Sequence, residues 1–139
     1  MTGIALAPAA EVWAADEACL TMFDHVEIPT LDIARARDFY RATLAELGHV
    51  KVTDHGGWCG FGAGDSAPFA LFSAKATAPT HLAFVAADRD AVDRFYRAAM
   101  AAGGRDNGAP GPRPDYSPKY YAAFVFDPDG NNVEAVCKT

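Results

Sequence analysis

The chain has 139 residues, half of them hydrophobic, and carries 12 basic against 18 acidic side chains for a formal charge of −6. That length suits one domain around one core, and that apolar content argues against disorder. The acidic balance without a basic cluster argues against a nucleic-acid surface, and no apolar run approaches the ~20 residues of a membrane-spanning helix.

Residues 1–20 are Ala-rich with scattered acids and lack a positively charged start. They are expected to form an N-terminal extension rather than a secretory signal. Residues 21–139 then form the single domain. Phe23–Ile28 is a short run of β-branched and aromatic residues and is predicted as a strand. Asp32 is a good helix N-cap, and Ile33, Ala36, Phe39, Tyr40, Leu44 and Leu47 fall on one helical face before Gly48. Three strands follow at His49–Thr53, Trp58–Ala63 and Phe69–Ala74, separated by Gly- and Pro-containing turns.

After a short linker the order repeats. His81–Ala86 is a strand, Asp88 a cap, and Val92, Phe95, Tyr96, Ala99 and Met100 an apolar helix face stopped by Gly103-Gly104. Later strands are expected at Arg105–Asn107, Tyr120–Phe126 and Asn132–Lys138, the last two joined by the turn Asp127-Pro128-Asp129-Gly130. The repetition extends to the letters. His25 and Phe39-Tyr40-Arg41-Ala42 recur as His81 and Phe95-Tyr96-Arg97-Ala98, each 56 residues later. Such self-similarity marks a duplicated unit. The two modules cover about 22–75 and 79–138, each reading β-α-β-β-β. The ends align at an offset of 63, pairing Trp58–Lys75 with Tyr121–Lys138, which puts an insertion in Gly108–Lys119. Four prolines there exclude a central strand.

Alternation sets the faces. Val26 and Ile28 suit the helix side, which turns His25 and Glu27 away from it. Leu82 and Phe84 do the same for His81. Each module then has a covered face and a bare one, and about 55 residues are too few to stand comfortably alone. The expected fold is α+β: two βαβββ modules whose eight strands form a curled mixed half-barrel around a cavity, with the helices outside. The aromatic residues Phe39, Tyr40, Phe95 and Tyr96 are expected to pack in the core.

The residues Phe23-Asp24-His25-Val26-Glu27-Ile28, the two helical repeats, His81-Leu82-Ala83-Phe84 and Phe126-Asp127-Pro128-Asp129-Gly130-Asn131-Asn132-Val133-Glu134 resemble the vicinal oxygen chelate superfamily. That group includes glyoxalase I, extradiol dioxygenases and the fosfomycin- and bleomycin-resistance proteins. The resemblance implies metal positions at His25, His81 and Glu134, with Glu134 also a candidate proton shuttle. The fourth position falls by the 63-residue offset on Leu71, which cannot bind a metal, and a shift of one gives Phe72, which cannot either. Two His and one carboxylate have the composition of a facial triad, so a divalent ion (Fe, Ni, Zn or Mn) or no cofactor at all is implied.

Trp58, Phe69, Leu71, Arg113, Tyr116 and Tyr121 are candidate substrate contacts lining the cavity or lidding it from the proline-rich loop. Tyr120 belongs to the same aromatic group. Glu27 shares the His25 face by alternation and reads as a group that orients a ligand, a general base or a solvent-exposed rim residue. His49 and His55 sit near turns, away from the family's ligand positions. The resemblance implies a small-molecule substrate or ligand and a homodimer. Cys19, Cys59 and Cys137 are odd in number and widely spaced, which suits reduced thiols in a cytoplasm.

Overall fold

A computed structural model describes residues 23–139. The expected extension at residues 1–20, with Cys19, lies outside them. Ten elements follow in chain order: β1 (Val26–Thr30), α1 (Ile33–Ala45), β2 (Lys51–Asp54), β3 (Trp58–Gly62), β4 (Phe69–Ser73), β5 (His81–Val85), α2 (Arg89–Ala101), β6 (Arg105–Pro112), β7 (Tyr121–Phe126) and β8 (Asn132–Cys137). The order is βαβββ twice, an α+β fold, as the sequence predicts.

Both helices start where the sequence supplies a cap. Asp32 accepts from the Arg35 backbone N–H at 3.0 Å, and Asp88 from that of Ala91 at 2.7 Å. Each carboxylate satisfies a donor that the first helical turn leaves unpaired. Both helices stop before a glycine with positive φ, Gly48 at 90° and Gly103 at 92°. A side chain at such a position would meet its own backbone.

The eight strands are grouped as two four-stranded sheets, ordered β1-β4-β3-β2 and β5-β8-β7-β6. In each, the first strand runs parallel to the last and the other pairs are antiparallel. The strand β6 extends to Pro112, past the predicted end at Asn107. It holds its prolines because it is an edge strand whose register shifts twice, between Asp106 and Gly108 and between Gly108 and Gly111.

The register revises how the modules align. Glu27 stands opposite Ala70, and its equivalent Ala83 stands opposite Glu134. The equivalent of Glu134 is therefore Ala70, not Leu71, and the offset is 64 rather than 63. A slip of one residue exchanges the faces of a whole strand.

One continuous core joins the modules. Phe39, Tyr40, Phe61, Phe95, Val92 and Val125 are each at most 1% exposed. The junction also carries a polar clasp. The turn between β7 and β8 reaches back to module one, where the Tyr40 hydroxyl donates to Asp127 Oδ2 at 2.5 Å and Thr30 Oγ1 donates to Asp129 at 2.6 Å. Asp127 also accepts from the backbone N–H groups of Asp129 and Asn131 and from the Asn131 amide. This buried carboxylate thus has four donors, which is how a charge is kept out of water. Burial, and Asp127 beside it, hold the Tyr40 phenol well above its ordinary pKa.

Candidate functional site

The side of each sheet turned away from its helix carries the candidate chemistry. On module two it is built from alternate residues of three strands. These are His81, Ala83 and Val85 from β5, Asn132, Glu134 and Val136 from β8, and Ala122, Phe124 and Phe126 from β7, with Tyr120 and Lys138 continuing the same parity. His81 and Glu134 lie on adjacent strands, Nε2 to Oε2 at 3.1 Å. Glu134 is 2% exposed, and its other oxygen accepts from the Tyr120 hydroxyl. Desolvation, and then that bond, push the Tyr120 phenol up to about 12.

The His81 ring is oriented from behind. Its Nδ1 lies 3.1 Å from the Asn132 carbonyl. A carbonyl can only accept, so this bond puts the proton on Nδ1 and leaves Nε2 of a neutral ring as an acceptor facing the carboxylate. Two acceptors at that distance need a proton or a metal cation between them. The Phe124 ring stacks beside His81, with centroids 6.4 Å apart and planes at 27°.

His25 is not part of this cluster. It is exposed and pairs with Asp24 at 2.6 Å, and that hydrogen bond raises its pKa. Among the described residues no three His, Cys, Asp or Glu side chains come together as a metal-holding group. One chain therefore supplies a converging His81–Glu134 pair, with His25 apart from it.

Module one differs on the matching face. Trp58 lies across Gly60, where an added Cβ would collide with the indole, and its Nε1 donates to Glu27 at 2.9 Å. Glu27 is thus an acceptor for Trp58 rather than for His25. His55 lies beside the same indole, with ring centroids 5.8 Å apart. The loop before β4 closes over Gly62, leaving no room for a side chain there. Ala70, the true counterpart of Glu134, is 1% exposed on this covered face.

The remaining candidates separate. Leu71 is fully buried on the helix side, as one residue of register dictates. Tyr121 also faces its helix, contrary to the expectation that it shares the open face with Trp58. Its hydroxyl donates to Asp93 of α2 at 2.8 Å, and Arg89 covers its ring. Phe69 packs in the core against Tyr40, Phe61 and Phe84. It also borders an apolar cavity of about 750 Å³ between the modules, together with Phe23, Val26, His49 and Leu82, and His81 reaches its rim. Tyr116 is exposed and packs edge-on against Tyr120, 5.1 Å between centroids. Arg113 folds back over the Phe124 ring at 5.4 Å.

Phe124, Arg105 and Lys138 join this face without having been singled out as site residues, and Tyr120, named among the aromatic candidates, joins it beside Glu134. Alternation along β7 contains the signal for Tyr120 and Phe124. The stretch reads Tyr120, Ala122, Phe124, Phe126, and the parity of Glu134 selects it once β7 and β8 are paired.

Comparison with known proteins agrees with the architecture. A sequence model of the glyoxalase/bleomycin resistance protein/dioxygenase superfamily matches residues 22–135. A glyoxalase/bleomycin resistance protein from Albidiferax ferrireducens is 28% identical with a TM-score of 0.73, over 84% of this chain and 98% of that one. A family enzyme from Burkholderia phytofirmans (19% identity, TM-score 0.66, 84% and 98%) shares the fold. So does the fosfomycin resistance protein of Mesorhizobium loti (19%, 0.60, 83% and 90%). Among functionally curated proteins none matches the sequence.

Proposed function

Because the chain belongs to the glyoxalase/bleomycin resistance protein/dioxygenase superfamily, we propose that it acts on a small carbonyl- or diol-bearing substrate through a divalent ion held by His25, His81 and Glu134. The observation that supports this is the His81 ring, pinned through Nδ1 with Nε2 turned on Glu134 at 3.1 Å. Hydrogen bonds of this kind from behind a ring are what orient metal-binding histidines. In this reading His25 comes from a second copy in a homodimer. It is exposed, it occupies the module-one position equivalent to His81, and among the described residues β1 and β5 each leave one edge unpaired.

The ion would supply a Lewis acid and a template for two substrate oxygens. Glu134 carries the proton chemistry, taking a proton from the substrate carbon or hydroxyl and returning it. Tyr120 holds one oxygen of that carboxylate and fixes where the other points. The buried free thiols Cys59 and Cys137 agree with a reducing, cytoplasmic setting.

Elemental analysis of protein purified without chelator, followed by titration with Ni²⁺, Zn²⁺, Mn²⁺ and Fe²⁺, tests the proposal. One ion per chain is expected, lost in His25→Ala, His81→Ala and Glu134→Gln, with a dimer by light scattering. Affinity no better than about 100 μM for every ion would end it.

One observation favours a second reading, a metal-free binder of small molecules. Tyr120 already occupies one Glu134 oxygen and His81 meets the other, while Trp58 fills the module-one face beside Ala70, so the chain's own side chains engage Glu134 without an ion. Stabilisation by an organic ligand that is indifferent to chelator distinguishes this reading.

A further inference from the structure

In an acidic chain, the open face of module two is basic. Three cations lie on it, each against an aromatic ring of the β7 row. Arg105 sits 5.0 Å from the Phe126 centroid, Arg113 5.4 Å from Phe124, and Lys138 5.3 Å from Tyr120. None of the three has a carboxylate within ion-pair distance among the described residues. Among the described residues of the three strands, the one acid on the face, Glu134, is already engaged by His81 and Tyr120.

Arg113 is the most organised of the three. Its Nη2 donates to the Ala109 carbonyl at 2.7 Å and its Nη1 to the Pro112 carbonyl at 3.4 Å. Gly108 and Gly111 make room for it. A Cβ on either would lie 3.2 or 3.3 Å from the guanidinium. A guanidinium has five N–H donors in a rigid plane, so three remain after these two bonds. The surroundings hold the plane still, which lowers the entropy lost when a bidentate anion docks.

We propose that this face is an anion subsite, in which Arg113 receives the carboxylate of a small aromatic acid whose opposite end reaches His81 and Glu134. The proposal rests on the reading of His81–Glu134 as the reactive pair and names the substrate class for it. Arg113 folds back over β6, and Glu134 is on β8, with the Phe124 ring of β7 between them. Two strand spacings are about 10 Å, which suits an aryl acid with an oxygen substituent across the ring. Lys138 and Arg105 raise the local potential for an anion from either side, in a field opposite to that of the whole chain.

Calorimetric titration of the full chain with benzoate and with neutral benzamide, in chelator and again with Ni²⁺, tests this. Benzoate is expected to bind at least about tenfold tighter than benzamide, a factor equal to about 1.4 kcal/mol. Arg113→Gln should weaken benzoate by about the same factor and leave benzamide unchanged, while Arg35→Gln, on the outer surface of α1, should change neither. Arg113→Lys keeps the charge and loses the fork, so its benzoate affinity should fall between the two. It provides the answer if Arg113→Gln melts early. Equal binding of the two probes, no benzoate binding by the wild type, or equal losses in Arg113→Gln and Arg35→Gln would each overturn the subsite. Nickel stoichiometry is read separately. Discrimination of benzoate without nickel binding sinks the metal reading alone, and nickel binding without discrimination sinks the subsite alone.

Discussion

Removing one oxygen atom at the module junction tests whether the clasp between the two halves carries stability. In Tyr40→Phe the ring keeps its neighbours, edge-on to Phe39 at 5.1 Å and tilted on Phe69 at 5.0 Å. The lost contact is the hydroxyl bond to Asp127, a buried charged acceptor. Bonds to charged groups contribute about 1.5–3 kcal/mol net. Asp127 retains three other donors, so the carboxylate is not stranded, and the lower half of that range is expected. For a domain of this length that lowers Tm by roughly 5–10 °C. Urea unfolding at fixed protein concentration, with an unchanged m-value, measures it. Combining Tyr40→Phe with Asp127→Asn should show coupling of about 1 kcal/mol or more. A Tyr40→Phe protein within about 0.5 kcal/mol of the wild type would refute the assignment of the clasp as a stabilising contact.

High pH tests the phenols. Tyr120 is neutral in the fold up to about 12, whereas an unfolded phenol ionises near ~10. Its contribution is complete below about pH 10 and disappears as pH rises through about 12. Absorbance at 295 nm, wild type against Tyr120→Phe, should show no phenolate from this residue below about pH 11. Gly60→Ala should displace the Trp58 indole and cost about 1–3 kcal/mol, with the Trp58–Glu27 bond lost in the structure. An unchanged melting curve would mean the indole has free space to move. Burial raises the Cys59 thiol, so iodoacetamide should label its peptide slowly in native protein and rapidly in urea, as mass mapping reads. Equal rates would show that this side of β3 opens to solvent.

The sequence made the architecture legible through features that survive small errors of alignment. Asp32 and Asp88 cap as expected, Gly48 and Gly103 stop their helices, and the 56-residue repeat put His25 and His81 at equivalent positions. The site depended on parity, which one residue reverses. An irregular β6, with its two register shifts, hid that residue inside the insertion. The 63-residue offset therefore selected Leu71 in place of Ala70 and matched Trp58 with Tyr121, whereas the register matches it with Ala122. The rings stacked under Arg105, Arg113 and Lys138 were beyond local reading because each pair joins different strands or flanking segments. Only the register brings those pairs together.

The tryptophan laid across Gly60 makes the duplication lopsided. Twin modules begin with twin floors, yet one floor is roofed by an indole tied to Glu27, and the other presents a half-exposed His81 beside a buried Glu134. Re-creating a fourth oxygen ligand would take more than Ala70→Glu, since the new carboxylate would press against Trp58 and its loop. The pair of changes Trp58→Ala and Ala70→Glu is the shorter route back to symmetry. Evolution of this chain toward four-ligand chemistry would have to pass through the tryptophan first.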